Sequence, residues 1–285
     1  NFPSVENVKD RAFKGCTNLG VNMDMLPKVT TIGKQAFMDC GWIVKNGGYS
    51  TTEIPETVVS IGDEAFKGDY MHAGELKLNG NNLESLGKEA FVHVYSLTIN
   101  CPTYLAKNFT TDNNILSSVK FLNAYGLYIG EDVTAIGDNA FNNKETEPIE
   151  FSSIISLSDS KVTTLGTNCF KGLKTRVFYI SGHNPAKISK NEIEVEARYL
   201  YMDGINFKSE YTNSDNLSHA FSDSLEFVDI NGMKSDDKAT IPDYAFYNTD
   251  GNKTKLKNIS GYYNTVGKYA FAMCPNLKSI KLTKN

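Results

Sequence analysis

The sequence predicts an α/β solenoid: a right-handed stack of about eleven similar units, one parallel sheet along one side and short helical turns or loops along the other. Three observations predict it. A six-residue phrase, Ile-Gly-x-x-Ala-Phe, returns nine times, its Phe falling at Phe13, Phe37, Phe66, Phe91, Phe141, Phe170, Phe221, Phe246 and Phe271. The gaps between these marks are 24, 29, 25, 50, 29, 51, 25 and 25 residues, so each long gap holds two periods and points to a worn unit, one near Leu116 and one near Val195. Short extended segments lie between the phrases, as a stack needs when no unit can bury its apolar side alone.

Each position of the unit has a reading. The residue before the Phe is Ala in eight copies and Cys169 in the ninth, small enough for neighbouring backbones to approach. The Phe fills the space between rungs, worth roughly 1.5–3 kcal/mol per buried ring before ordering entropy is subtracted. Five before the Phe stands an apolar residue in eight copies, from Val8 and Ile32 through to Ile241 and Val266. Gly33, Gly62, Gly87, Gly137, Gly166 and Gly267 stand four before it, where the chain is expected to turn into a short helical turn that needs permissive backbone angles. Phe2-Pro3, Leu26-Pro27 and Ile54-Pro55 close extended segments, because Pro cannot continue a central ladder. Strands are expected at 75–79, 96–100, 118–122, 149–152, 176–180, 199–203 and 225–230, with Leu277, Ile280 and Leu282 patterning a last one. One strand per unit gives a continuous sheet of roughly 50 Å at ~4.8 Å per rung.

The phrases Thr31-Ile-Gly-Lys-Gln-Ala-Phe-Met-Asp-Cys40, Ser60-Ile-Gly-Asp-Glu-Ala-Phe-Lys-Gly-Asp69 and Thr265-Val-Gly-Lys-Tyr-Ala-Phe-Ala-Met-Cys274 resemble the BspA-type leucine-rich repeat. The resemblance covers nearly the whole chain and is weakest at 100–130 and 180–215. It implies a leucine-rich-repeat solenoid on a bacterial cell surface or secreted, as an outer-membrane lipoprotein or a free protein, adhering to host matrix, host cells or other bacteria. Protozoan surface proteins carry the same repeats, so the resemblance leaves the source open.

Residues 1–285 read as a single solenoid domain without a composition break, and the start inside a repeat suggests a piece of a longer protein lacking any leader, anchor or cap. The 29 Lys and Arg balance 33 Asp and Glu, which argues against nucleic acid as a partner. No run of eighteen apolar residues is present, so membrane association would need an anchor outside this chain, and a monomer is expected. Cys16, Cys40 and Cys274 each follow a marker Phe by three, so position selects them. A Cys16–Cys40 bridge between neighbouring rungs and a pair of small buried thiols both fit that placement.

Catalysis needs a constellation, and the sequence offers none, so no enzyme activity, cofactor or metal is expected. His72, His93, His183 and His219 lie in different units without ligand spacing. No Gly-x-Ser-x-Gly elbow or phosphate loop occurs. Asp63, Asp138 and Asp243 occupy variable positions of the phrase and read as structural, while Asp250-Gly251-Asn252 and Ser214-Asp215-Asn216 read as turns rather than calcium loops.

Binding is expected on the outward row of the sheet. If Leu200 and Met202 point inward, alternation turns Tyr199, Tyr201 and Asp203 outward, and the register of Leu225, Val228 and Ile230 does the same for Phe227 and Asp229. Aromatics beside carboxylates suit a peptide or a sugar, although the same rings also read, and strongly, as core filler in a worn unit. Trp42, in the insertion of the 29-residue unit with Gly47-Gly48-Tyr49, is either a partner anchor or a lid over its own rung. The leading expectation is a non-enzymatic recognition and adhesion module. The alternatives are a glycan-binding or polysaccharide-active accessory and a structural spacer for another domain.

Overall fold

A computed structural model of the chain describes residues 2–42, 50–68, 73–158, 160–181, 188, 190–203, 211–212, 214–231, 240–248 and 254–283. Ten parallel strands form one sheet in chain order: β1 (Ser50–Ile54), β2 (Ala73–Asn79), β3 (Phe91–Asn100), β4 (Val119–Ile129), β5 (Ile149–Leu157), β6 (Leu173–Ser181), β7 (Glu196–Asp203), β8 (Phe227–Asn231), β9 (Asn258–Tyr262) and β10 (Ser279–Thr283). Sequential order with parallel pairing throughout is what a solenoid of about ten turns requires. Both worn units contribute a full strand, β4 and β7.

Eight of the nine phrases form a second, narrow ladder, the phrase ending at Phe221 holding the short helix Leu217–Ala220 instead. Asn7–Val8, Thr31–Ile32, Ser60–Ile61 and Ser85–Leu86 pair in one four-stranded sheet, and Ala135–Ile136 with Thr164–Leu165 and Thr240–Ile241 with Thr265–Val266 pair in the same way. The expectation of one strand per unit is therefore corrected to two. A two-residue strand is too short for an alternating pattern to reveal it.

The phrase glycines also act differently from expectation. None of the six has a positive φ. They are glycines because the neighbouring rung lies too close for a side chain: a Cβ would sit 2.5 Å from the Asp10 nitrogen at Gly33, 2.3 Å from the Asp63 nitrogen at Gly87 and 1.8 Å from the Lys107 carbonyl oxygen at Gly137. That closeness permits the rung-to-rung bond in which Gly33 N–H donates to Val8 O, Gly62 to Ile32 and Gly166 to Ile136, all at 2.7–2.8 Å. The left-handed angle falls instead two residues before the Phe, on Arg11, Gln35, Glu64, Glu89, Asn139, Asn168, Tyr244 and Tyr269, with φ between 49° and 58°. Turns, not helices, therefore follow the glycines. Apart from a 3-10 turn at Met23–Met25, the described helices are α1 (Pro102–Leu105), α2 (Ile115–Ser118) and α3 (Leu217–Ala220), all in the irregular units.

The Phe side chains stack as a column. Phe13–Phe37, Phe37–Phe66 and Phe66–Phe91 have centroids 5.2, 5.4 and 4.9 Å apart with interplanar angles of 4–11°, and Phe141–Phe170 and Phe246–Phe271 repeat the geometry. The first worn unit places Val119, three residues beyond Leu116, beside Phe91 in the ladder. At the second, Val195 is buried and donates to Ala220 O, while Phe178 from β6 meets Phe170 and Phe221 edge-on and closes the gap in the column.

Two expected strands are longer than the sequence indicated. Along the sheet, Glu75, Ser96, Gly126, Ile154, Val177 and Tyr199 are neighbours in register. The expected 118–122 and 149–152 thus form the first parts of β4 and β5, paired from Val119 with Phe91 and from Ile149 with Leu173, and both strands run on past them, in this row, through Gly126 and Ile154. Register shifts between Phe121 and Gly126 and between Phe151 and Ile154 absorb the extra residues.

Two stability tests follow. Phe141 is fully buried, whereas Phe271 is partly open; Phe141→Ala should cost about 3–5 kcal/mol in chemical denaturation and Phe271→Ala distinctly less. Equal losses would contradict a graded column. Gly137→Ala should destabilise by at least about 1–3 kcal/mol because the new methyl meets backbone, whereas Asn168→Gly, at a left-handed position, should stay within about 1 kcal/mol of wild type; the reverse order would refute the close-approach account.

Candidate functional site

The open face of β6 to β9 carries the aromatic and acidic residues that alternation turns outward. Leu200, Met202, Val228 and Ile230 are buried, so Tyr199, Tyr201 and Asp203 of β7 and Phe227 and Asp229 of β8 point the other way. Pairing brings them together: Tyr199 lies beside Phe227, Tyr201 beside Asp229 and Asp203 beside Asn231. The Tyr199 and Phe227 rings stack at 4.8 Å and 10°, while Tyr201 is 40% exposed and meets Tyr179 of β6 edge-on at 6.3 Å. Trp42 belongs elsewhere, its backbone pairing with Val21 in a separate two-stranded sheet. Its side chain and Gly47-Gly48-Tyr49 lie outside the described residues, as do His72, His183 and Asp250-Gly251-Asn252.

One border of the site was missed in the sequence. The guanidinium of Arg198 lies 5.3 Å from the Tyr199 ring centre and 5.8 Å from that of Phe227, and Arg176 lies 5.9 Å from Tyr199. Arg198 also pairs with Glu226 at 3.4 Å, and Lys257 reaches the same carboxylate at 2.7 Å. Hydrogen bonding from Lys257, with Arg198 adding to it, holds the Glu226 carboxyl below its ordinary range. Along the strands, Arg176 of β6, Arg198 of β7 and Lys257 just before β9 thus surround Glu226 and the two rings, with Asp203 and Asp229 further along. Arg198 sits one residue before Tyr199 and Arg176 three before Tyr179, and only cross-strand pairing shows that they share a border.

Elsewhere the notable side chains have structural duties. Asp10, Asp63, Asp138 and Asp243 each accept the backbone N–H of the next rung, from Lys34, Lys88, Thr167 and Lys268, at 2.6–2.9 Å. Asn216 caps α3 by accepting from His219 N–H, and its amide donates to Tyr247 O at 2.9 Å, which makes the 214–216 segment a cap and turn. All five cysteines are free, so Cys16 and Cys40 are not bridged. The Cys40 thiol instead donates to Phe13 O at 3.0 Å and the Cys274 thiol to Phe246 O at 3.2 Å, while Ser224 in the same slot donates to Phe221 O. Burial pushes the Cys101 thiol up to about 12 and the Cys274 thiol up to about 11, so neither is a ready nucleophile at neutral pH.

A cleft of about 570 Å³ lies on another side, lined by Asn142, Lys144, Glu145, Lys171, Glu194 and Glu196 among others. Both of its named lysines are engaged, Lys171 with Glu194 at 3.0 Å and Lys144 with Asp112 at 2.6 Å. No described helix is long and apolar enough to cross a membrane.

Comparison with known proteins returns the BspA type leucine rich repeat region, in six copies matching residues 1–107, 45–176, 120–236 and 199–285. This is a repeat family, not a catalytic one. No curated protein matches the chain. A solved leucine-rich repeat protein from Bacteroides ovatus ATCC 8483 is 17% identical over 97% of this chain and 76% of that one, with a TM-score of 0.26, too loose a superposition to carry a structural argument.

The stacked pair on the open face is directly testable. A double-mutant cycle with Tyr199→Ala and Phe227→Ala should give a coupling of about 0.5–1.5 kcal/mol in chemical denaturation. Additive losses would mean that the rings do not stack in solution.

Proposed function

This chain belongs to the BspA-type leucine-rich repeat family, and from that premise we propose that it is a non-enzymatic recognition and adhesion module, on a cell surface or secreted, whose open sheet face engages a protein or glycan ligand of host or bacterial origin. One observation carries the reading: Tyr199, Phe227, Tyr201 and Asp229 form a contiguous outward patch on adjacent strands, with Asp203 beside it. Outward rings on a solenoid are free of packing duty, and rings flanked by charge are the side chains that dominate binding energy at interfaces. Family membership supports a binding role, since leucine-rich-repeat domains commonly mediate protein binding. We take residues 1–285 as one right-handed solenoid of eleven units acting as a monomer, with attachment to a membrane, if any, supplied by an anchor outside this chain. Trp42 stands as a secondary contact in the same proposal, apart from the main patch.

The test separates folding from binding. A Tyr199, Tyr201 and Phe227 triple Ala variant should keep a cooperative thermal melt while losing most of its retention on immobilised matrix proteins, mucin or whole bacterial cells. Loss of folding would return these rings to the core. Retained binding to a confirmed ligand would move the site, with Trp42→Ala the next variant. Intact folding with no ligand on any surface would favour a spacer role.

A further inference from the structure

One row of the open face has a composition that packing does not demand. Residues paired in register across seven consecutive strands each carry a side-chain oxygen: Thr98, Tyr128, Ser156 and Tyr179 on β3 to β6, then Tyr201, Asp229 and Ser260 on β7 to β9, of which Ser156 alone is buried, its hydroxyl bonded to that of Ser158. Lys77 and Lys281 stand at its two ends. Three of the seven are tyrosines, so rings and hydroxyls occur in a single lane perpendicular to the strands.

A second aromatic cluster lies at the β3–β4 end of this lane, outside the patch described above. Tyr95 and Tyr125 stack at 5.1 Å and 12°, and Tyr125 is 40% exposed. The phenol end of Tyr128 leans back over Gly126, where an added Cβ would meet the ring at 2.6 Å. Two strands away in the same register row as Gly126 is Glu75, whose carboxylate accepts the hydroxyls of Thr51 at 3.1 Å and Thr98 at 3.3 Å, with the Lys77 ammonium at 3.8 Å.

We infer that this lane binds a neutral, β-linked glycan laid across the strands, about one sugar ring per rung, anchored at Tyr128 with Tyr125 at one end and at Tyr179 with Tyr201 at the other. The inference rests on the proposed recognition role of the same face and names its ligand class. Pitch is the first argument. Rungs repeat every ~4.8 Å, whereas an extended peptide presents same-side residues every ~6.5–7 Å and falls out of step within two rungs; a β-linked pyranose chain advances by about one strand spacing per ring and stays in step. Chemistry is the second argument. Sugar hydroxyls both donate and accept, which suits a lane of hydroxyls and carboxylates, and the apolar faces of pyranose rings suit exposed tyrosines. Charge is the third. Glu75 and Asp229 would repel a polyanionic glycan. Nor is the cluster a cage for a cation, because Tyr95 and Tyr125 lie parallel and leave no gap between walls.

Calorimetric titration with the two- to six-ring series of cello-, chito- and xylo-oligosaccharides tests this, with a heparin hexasaccharide and a Lys-rich peptide as opposing probes. At least one neutral series should bind, with affinity rising at each added ring. Tyr128→Ala and Tyr201→Ala should each lower the affinity of its six-ring member about tenfold, the loss of one stacking contact with its hydrogen bond. Should either truncation disturb the melt, Tyr128→Phe and Tyr201→Phe keep the rings and should still weaken binding measurably. Absence of binding in all three neutral series, binding without length dependence, or preference for the heparin or Lys-rich probe would each overturn the inference. A protein ligand that is lost in the Tyr199, Tyr201 and Phe227 variant, without any oligosaccharide binding, would sink the glycan inference and leave the recognition role intact.

Discussion

The spacing between hydrogen-bonded parallel strands, ~4.8 Å, is the constraint that the rest of this molecule obeys. Every unit must fit that thickness wherever it meets its neighbour. The Phe column satisfies it with rings stacked at 4.9–5.6 Å. The phrase glycines satisfy it by having no side chain where the next backbone arrives within 2.5 Å of a would-be Cβ. Ala and Cys before the Phe satisfy it by being small and fully enclosed in the central units.

Holding the pitch has a local cost. Eight non-glycine residues adopt left-handed angles in the turn before the Phe, a conformation unfavourable by roughly 1 kcal/mol or more for most side chains. The turn persists because it places donors and acceptors opposite their counterparts. At four of these rungs an Asp one residue earlier accepts from the neighbouring backbone, as Asp63 does from Lys88, and Phe13, Phe37, Phe66, Phe141 and Phe246 donate to the next Ala or Cys carbonyl. On the outside of the same turns Lys67 bridges Glu64 and Glu89, raising its own pKa and lowering theirs through short hydrogen bonds. At that exposure such pairs contribute little to stability. The backbone brackets and the buried column carry the stack.

Much of this was legible from the sequence because the stack repeats one problem many times. Nine copies of a phrase set period, column and sheet, and two long gaps located units whose marker had been lost. The inward positions of β7 and β8 followed from alternation alone, and Tyr199, Tyr201, Phe227 and Asp229 came together as that alternation required. Features that depend on a second rung were invisible. The glycines seemed to need unusual angles when they needed absence of bulk, and that difference resides in the partner chain segment, not in the phrase. The two-residue ladder leaves no periodic trace. In β4 and β5 the extra residues before Gly126 and Ile154 displaced the register, since a one-strand pattern cannot say where pairing with the next strand begins. Tyr128 was lost for the same reason: its ring matters through Gly126 and its lane through strands on either side.

A solenoid separates the residues that fold it from the residues that can recognise something. Column, glycine and bracket positions are tied to the pitch, so their chemistry is repeated from rung to rung. The outward positions of the sheet owe nothing to that repetition, and there the composition departs from it: tyrosines gather on β4, β6 and β7, carboxylates stand at Glu75, Asp203 and Asp229, and guanidinium groups border Tyr199. Because strands share one register, such choices add up along straight rows, so residues scattered over some 160 residues of sequence, from Thr98 to Ser260, compose one lane. The ruler that forbids a side chain at Gly137 is then the same ruler that spaces Tyr179 from Tyr201, and a ligand that fits the face has to share its period.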